Sequence, residues 1–319
     1  MPNPLKFIPM ILDQQMGPQE LARKEEPKAI TDDPDNVIQY DQVMTTKLVI
    51  AYAIGLEAIH RARTQMPGKG AKALDLACGP GHYTLCLQTY LNYDKVTGLD
   101  LSPNMIAIAQ GNARQKKLEN HTSFQLADIT HLKQVDDNSF DLSSCTDAAH
   151  HMEGRDKTDA AVRQKEALEE VGKILVEMDR VTKPDGLVML MDLARLRTSR
   201  LTEKYVNLLG GDYGARGLQA FFEDFRNSMY AAWTYGELET AIPKNSRRVW
   251  CHLVSKALPT LQIVFGLPVG RKELFLRKGL PWEPQDCPVP KNLRTEWKLG
   301  RFTLFSAAAK FIPAASQSA

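Results

Sequence analysis

The chain has 319 residues, of which 43% are hydrophobic and 24% charged, with a formal net charge of +2. That length and composition suit one elaborated globular domain, or two small ones, around a sizeable core, and they exclude a disordered or fibrous chain. A charge so near neutral, with only short basic pairs such as Arg247-Arg248 and Arg271-Lys272, argues against nucleic acid or an anionic membrane as the partner.

Residues 1–36 are rich in Pro, Asp, Glu and Lys and read as an irregular arm. From Val37 to Arg63, the apolar residues Val43, Leu48, Ala51, Ile54 and Ile59 recur at helical spacing. The breaker Gln65-Met-Pro-Gly-Lys-Gly70 follows. Strands are then expected at 72–77, 95–101, 122–127, 140–146 and 187–193, with helices at 82–91, 103–117 and 157–182 among them. Strands alternating with helices predict a parallel sheet covered on both faces, with ligands bound at the carboxyl ends of the strands. Two amphipathic helices follow at 199–209 and 217–232, and a third runs from Thr234 to Pro243. Eight aromatics cluster in this stretch, and their default role is packing. Residues 251–265 and 299–309 read as two final strands, separated by a long proline-rich loop, 279–290. Cys78, Cys86, Cys145, Cys251 and Cys287 form an odd set with no C-x-x-C pair, so reduced thiols are expected. No run reaches the 18 apolar residues of a membrane span, and Met1–Leu12 is too short and proline-broken for a secretory leader, so a cytoplasmic protein is expected.

The chemistry concentrates in Lys72-Ala-Leu-Asp-Leu-Ala-Cys-Gly-Pro-Gly-His-Tyr83. An apolar strand runs into a glycine turn and a helix start, which brings bare backbone against a ligand. Asp100 closes the next apolar run about 20 residues on, the place from which an acid binds ribose hydroxyls in Rossmann-type units. Thr84 stands where a dinucleotide fingerprint needs its third glycine, and Asp75 would repel a pyrophosphate. Asp75 would instead favour an ammonium or a sulfonium. With these residues in view, Asp75-Leu-Ala-Cys-Gly-Pro-Gly81 resembles the first motif of class I S-adenosylmethionine (SAM) methyltransferases, and Gly98-Leu-Asp-Leu-Ser-Pro-Asn-Met105 resembles the second. Phe124–Ile129, Ser139–Met152 and Val181–Asp192 continue the pattern in the family's order.

The resemblance implies an α/β fold, a doubly wound, Rossmann-like, seven-stranded and mostly parallel sheet with a helical N-terminal cap and an inserted helical lid. The corresponding division is an arm and cap over 1–66, a SAM-binding core over 67–198, a lid over 199–250, and final antiparallel strands with the proline-rich loop over 251–319, together one functional domain. By the same resemblance, the backbone at Ala77, Gly79 and Gly81 meets the methionine part of SAM, with Asp75 acting through its amino group. Asp100 takes both ribose hydroxyls, Leu101 and Met105 pack on adenine, and Asp128 and the Ile129 amide read the adenine edge. Tyr40 resembles a tyrosine folded over the cofactor. Asp147, His150 and His151 follow the fourth strand, where the acceptor sits, and a histidine there could take the acceptor's proton. Asp192 and Arg195 end the fifth strand on the same rim, where an ion pair between them is one option and a grip on an acceptor carboxylate the other. No metal is expected, because the metal-dependent members use other ligands.

The expected activity is methyl transfer from SAM to a small-molecule metabolite at a C, N, O or S atom, releasing S-adenosylhomocysteine (SAH). The alternative is a SAM-binding regulatory or partner protein without turnover. Sequence signatures of nucleic-acid base methylation and of protein arginine methylation are missing; Cys287, for example, precedes a proline rather than following one. The expected partner is therefore a small-molecule substrate, with no nucleic acid, no membrane span, and a homodimer left open.

Overall fold

The sheet is set by inner strands that are buried on both faces. Its geometry comes from a computed structural model, which describes residues 7–18, 21–26, 34–44, 49–63, 67–255, 260–269, 289–305 and 310–312. The parallel strands are β1 (Lys72–Leu76), β2 (Lys95–Asp100), β3 (Thr122–Leu126), β4 (Phe140–Thr146) and β5 (Thr182–Leu193). Three further strands, β6 (Val249–Val254), β7 (Leu261–Leu267) and β8 (Lys310–Ile312), extend the sheet antiparallel beyond β5. The order is β3-β2-β1-β4-β5-β7-β6-β8. Among the described residues the sheet has eight strands where seven were expected.

Alternate residues of β5 show how the two faces are covered. Met189 and Met191 pack with α3 (Val49–Ala62), α4 (His82–Leu91) and α10 (Arg294–Phe305). Val188 and Leu190 pack with α6 (Ala160–Val181) and α9 (Tyr235–Thr240) on the other side. A period of two with both phases apolar is the mark of a strand buried on both faces. The helix α5 (Pro103–Gln115) completes the doubly wound arrangement, capped by Ser102, whose Oγ accepts from the Met105 amide, and led in by Pro103.

Several boundaries differ from expectation. The arm contains a helix, α1 (Phe7–Met16), because Met10 and Phe7 find an apolar surface on α7 (Ser199–Gly210) and α8 (Gln219–Ala231). The stretch from Val37 divides into two helices, α2 (Pro34–Met44) and α3. The run 251–265 is two hairpin strands, with Pro259 lying between them in the sequence, since proline cannot donate within a ladder. Residues 299–309, expected as a strand, instead fall mostly in α10. There Leu293, Trp297, Gly300 and Leu304 recur at spacings of four, three and four, and Gly300 lets the helix approach Ile54, whose Cδ1 would lie 2.9 Å from an added Cβ. The helix expected at 157–182 starts only at Ala160, where Asp159 caps it by accepting from the Ala161 and Val162 amides. Most of the proline-rich loop, with Cys287, lies outside the described residues. Among the described residues, no single helix is long and apolar enough to cross a membrane.

Candidate functional site

At the carboxyl end of β1 the chain turns through Ala77, Gly79 and Gly81, with φ of 53°, 51° and 80°. All three are left-handed, a conformation that favours glycine at two of the positions and strains alanine at the first. At Gly81 an added Cβ would sit 2.8 Å from Phe124 and 2.9 Å from Ala109, so the turn packs directly on the sheet and α5. At Gly79 the nearest atom would be Tyr40 Cε1, 3.9 Å away. The Gly79 backbone therefore faces open space roofed by the Tyr40 ring. Burial holds the Tyr40 phenol well above its usual range, with Asp147 as the leading charge acting in the same direction.

Asp100 sits at the end of β2 beside this turn. Its Oδ2 accepts from the Gly79 amide at 2.8 Å and its Oδ1 from the Ser102 amide at 2.9 Å, so one carboxylate orients both loops. Burial raises its pKa against those bonds. Next to it Leu101 is 75% exposed, a bare aliphatic surface at a strand end, while Met105 and Ile129 are buried beneath. Asp128 is exposed, and its Oδ1 accepts from both the amide and the hydroxyl of Thr130, capping the turn that follows β3. That hydroxyl is the main reason its pKa is lowered.

Asp75 lies deeper than a ligand contact requires. It is fully buried in β1, where its carboxylate accepts from Thr84 Oγ1 at 2.6 Å and Ser144 Oγ at 3.1 Å. Burial pushes it up to about 7. In this structure it ties β1 to the first turn of α4 and to β4.

The ends of β4 and β5 carry the second half of the site. Asp147 adopts a left-handed φ of 51°, and its amide donates to the Met191 carbonyl at 2.9 Å. Burial, then the charge of Asp192, pushes its carboxyl up to about 7. A short helical turn, Ala149–His151, follows, pinned by the Trp233 indole N–H donating to the Ala149 carbonyl at 2.8 Å. His150 is buried, with Nδ1 2.5 Å from Asp192 Oδ1. Burial opposes charge on that ring, yet Asp192, joined by Glu26 and Asp147, pushes it up to about 9. His151 is 44% exposed and its Nδ1 pairs with Glu26 Oε2. Arg195 does not pair with Asp192. Its Nη2 donates to both Glu237 carboxylate oxygens, at 2.7 and 2.9 Å, and its Nη1 donates to the Ala232 carbonyl.

Three contributors escaped the sequence reading. One is the arm segment 21–26, which lies across the β4 rim: Arg23 donates to the carbonyls of His150, Met152 and Ala231 and stacks 4.0 Å over Trp233. It brings Glu26 onto the histidines. Another is Asp41 in α2, whose Oδ1 accepts from Asn112 at 2.9 Å and lies 2.7 Å from His82 Nε2, fastening the N-terminal cap to the glycine turn. The last is Asp224 of α8, pushed up to about 7 by burial and by Glu26. None of these belongs to a motif, and chain distance hides all of them. A cleft of about 640 Å³ lies beside the arm, lined by Leu21, Arg23, Arg195 and Glu237, away from the glycine turn.

A family model described as a methyltransferase domain matches residues 67–247, more than half the chain. The chain belongs to that methyltransferase-domain family. A demethylmenaquinone methyltransferase of Leptospira interrogans is 27% identical over 124 residues, covering 39% of this chain and 43% of the relative. The methyltransferase GfsG of Streptomyces halstedii is 32% identical over 124 residues, 39% of this chain and 38% of the relative. This methyltransferase-domain chain thus matches less than half the length of those relatives. Among solved structures, a Methanococcus maripaludis protein provisionally assigned as a SAM-dependent methyltransferase superposes with a TM-score of 0.51 at 14% identity, over 79% of this chain and 99% of that one. At that identity the likeness shows the fold alone.

Proposed function

We propose that the chain is a SAM-dependent methyltransferase acting on a small-molecule acceptor. The observation that carries this is the open turn Ala77–Gly81 at the end of β1, with the Gly79 amide held by Asp100 beside the uncovered Leu101. A carboxylate already fixed by two amides keeps lone pairs for two ribose hydroxyls, and a bare leucine beside it offers adenine an apolar face. A Cβ at Gly79 would enter the same space under Tyr40. The residues present therefore fit SAM: backbone at Ala77, Gly79 and Gly81 for the methionine part, Asp100 for the ribose, Leu101 and Met105 for the adenine faces, Asp128 and Ile129 for its edge. Asp75 acts as a positioning residue through Thr84 and Ser144.

SAM, when bound, supplies a methyl group activated by its sulfonium. The protein has to align the acceptor, exclude water and accept a proton. The helices within 199–250 read as a lid and residues 1–66 as a cap, and together they enclose the acceptor against the rim of β4 and β5. Asp147 is placed to take the acceptor's proton, because its carboxyl is held near neutrality on that rim and its Oδ1 has no hydrogen-bond partner among the described residues. His150 and His151 flank it, and Tyr40, kept protonated, can donate to a polar group beneath it. The quinone acceptor named for the Leptospira relative is one member of the panel to be tried.

The test is SAH release by the purified chain incubated with SAM and an acceptor panel, beside calorimetric titration with SAH. Saturable SAH binding with acceptor-dependent SAH release is the expected result. Failure to bind SAM or SAH would overturn the reading.

A further inference from the structure

We propose that Glu26, His150 and His151 form a divalent-metal site, selective for zinc-like ions, on the acceptor side of the pocket. No metal was expected from the sequence, because the metal-dependent members of the family it resembles use other ligands. The folded arm supplies a third ligand from 124 residues upstream of His150. Glu26 offers a carboxylate oxygen, and its donor atom and those of both histidines lie within 4.8 Å of one another.

As it stands, Glu26 Oε2 is paired directly with His151 Nδ1, so an ion would replace that contact. Glu26 Oε1 is 4.0 Å from His150 Nε2, too far for a hydrogen bond. Zinc at about 2.0–2.2 Å from nitrogen and oxygen ligands holds tetrahedral neighbours roughly 3.4 Å apart, so the half-exposed His151 ring has to swing outward from Glu26 while Glu26 and His150 draw slightly together. His150 is already oriented for the task. Its Nδ1 is held 2.5 Å from Asp192 Oδ1 and its Nε2 faces Glu26, so an ion that displaces the Nε2 proton would meet the carboxylate–histidine–metal arrangement that fixes both tautomer and ring plane. Two histidines and one carboxylate leave a coordination position for a further ligand.

An independent feature calls for a cation here. The Glu26 side chain is 8% exposed, and its Oε1 has no hydrogen-bond partner among the described residues. The same holds for one buried oxygen each of Asp147, Asp192 and Asp224. Unpaired buried carboxylate oxygens are costly, and a dication seated between Glu26 and the histidines would take up the Glu26 oxygen directly and add positive charge beside the others. Resting on the methyl-transfer reading, the ion's role is to bind the acceptor's heteroatom in the open position. The acceptor's X–H proton then passes to Asp147, the X lone pair forms the new C–X bond, and the C–S pair returns to sulfur.

The test is titration of the chelator-stripped full chain with Co²⁺, followed by its visible absorption, with Zn²⁺ as competitor and SAH affinity measured on the same samples. The expected result is one Co²⁺ per chain, displaced by Zn²⁺, with His151→Ala and Glu26→Gln each weakening it by more than about a hundredfold. SAH affinity should persist in both variants. His151 is half-exposed, so its variant tests the site even if a change at the buried His150 prevents folding. Wild-type chain that takes up no stoichiometric Co²⁺ or Zn²⁺, or variants that retain the wild-type affinity, would overturn the site. If SAH binds while the metal does not, the methyltransferase reading stands and the metal site falls. Metal binding without SAH binding separates the two the other way.

Discussion

Replacing Asp100 with Ala probes the cofactor assignment at its most constrained atom pair. The carboxylate is held by two amides, Gly79 at 2.8 Å and Ser102 at 2.9 Å. Its position is therefore set before any ligand arrives, and little ordering cost is left for binding. A hydrogen bond to a charged group contributes about 1.5–3 kcal/mol net, so two ribose hydroxyls could gain about 3–6 kcal/mol. Water fills part of the gap in the variant, which leaves a loss of roughly 1.4–4 kcal/mol, or about 10- to 1,000-fold in affinity. The same truncation frees the Gly79 and Ser102 amides, so a fall in stability of about 1–3 kcal/mol should accompany it. Asp100→Asn keeps one acceptor oxygen and should fall between wild type and Ala. Calorimetric titration with SAH reads the affinity, and a thermal melt confirms that the protein being titrated is folded. A folded Asp100→Ala variant that binds SAH as tightly as wild type would refute the ribose assignment.

Asp147→Asn should lower kcat by about 10²–10⁴ and leave SAH affinity intact, which steady-state kinetics beside calorimetry would check. Gly81→Ala places a Cβ 2.8 Å from Phe124 at a φ of 80°, so a denaturant melt should show a loss of about 2–4 kcal/mol. Asp41→Ala removes the tie between α2 and the glycine turn, and hydrogen exchange across Pro34–Met44 should quicken, with SAH slowing it less than in wild type. His252, buried against Gln262 and stacked on Tyr235, with Glu239 at 3.9 Å, is pushed down to about 4 by burial, Lys310 adding in the same direction. Between pH 4 and 6.5 the unfolded chain carries the extra proton, so wild-type stability should rise with pH by up to about 3 kcal/mol across that window. His252→Gln should flatten that rise, as melts at several pH values would show.

The parallel half of the fold was legible because its signals are local. A strand buried on both faces is a short apolar run, a turn that must go left-handed asks for glycine, and the strand–turn–helix order fixes the sheet's winding. The antiparallel half was harder. Its strands β6 and β7 are short, their apolar run reads as one continuous strand, and only Pro259 marks the break. In α10 a helical period was present in Leu293, Trp297 and Leu304, but aromatic, β-prone residues around Phe302-Thr-Leu-Phe305 pointed to a strand. The contact that decides it, Gly300 against Ile54, spans almost the whole chain. The same reason hid α1, whose few apolar residues mean nothing until α7 and α8 present a surface to them.

The site divides along the same line. Ala77, Gly79, Gly81, Asp100 and Leu101 are brought together by two adjacent parallel strands, so their sequence spacing already encodes their geometry. The rim is assembled from five separate places: the arm at Glu26, α2 at Tyr40 and Asp41, the β4 turn at Asp147–His151, the end of β5 at Asp192, and α8 at Asp224. No spacing encodes that assembly, and each residue alone has an ordinary explanation. What distinguishes the rim is electrostatic. Four carboxylates, Glu26, Asp147, Asp192 and Asp224, are gathered beside two histidines, and each keeps one buried oxygen without a hydrogen bond among the described residues. Stability alone would select against such an excess. On the reading proposed above, the glycine turn takes the cofactor on the β1–β2 side, and the charge on the β4–β5 side is then left for the acceptor, its departing proton or an ion that holds it. If the arm belongs to the site as much as the motifs do, removing residues 1–26 should abolish acceptor-dependent SAH release while SAH binding at Asp100 survives, a separation that truncation and calorimetry can read directly.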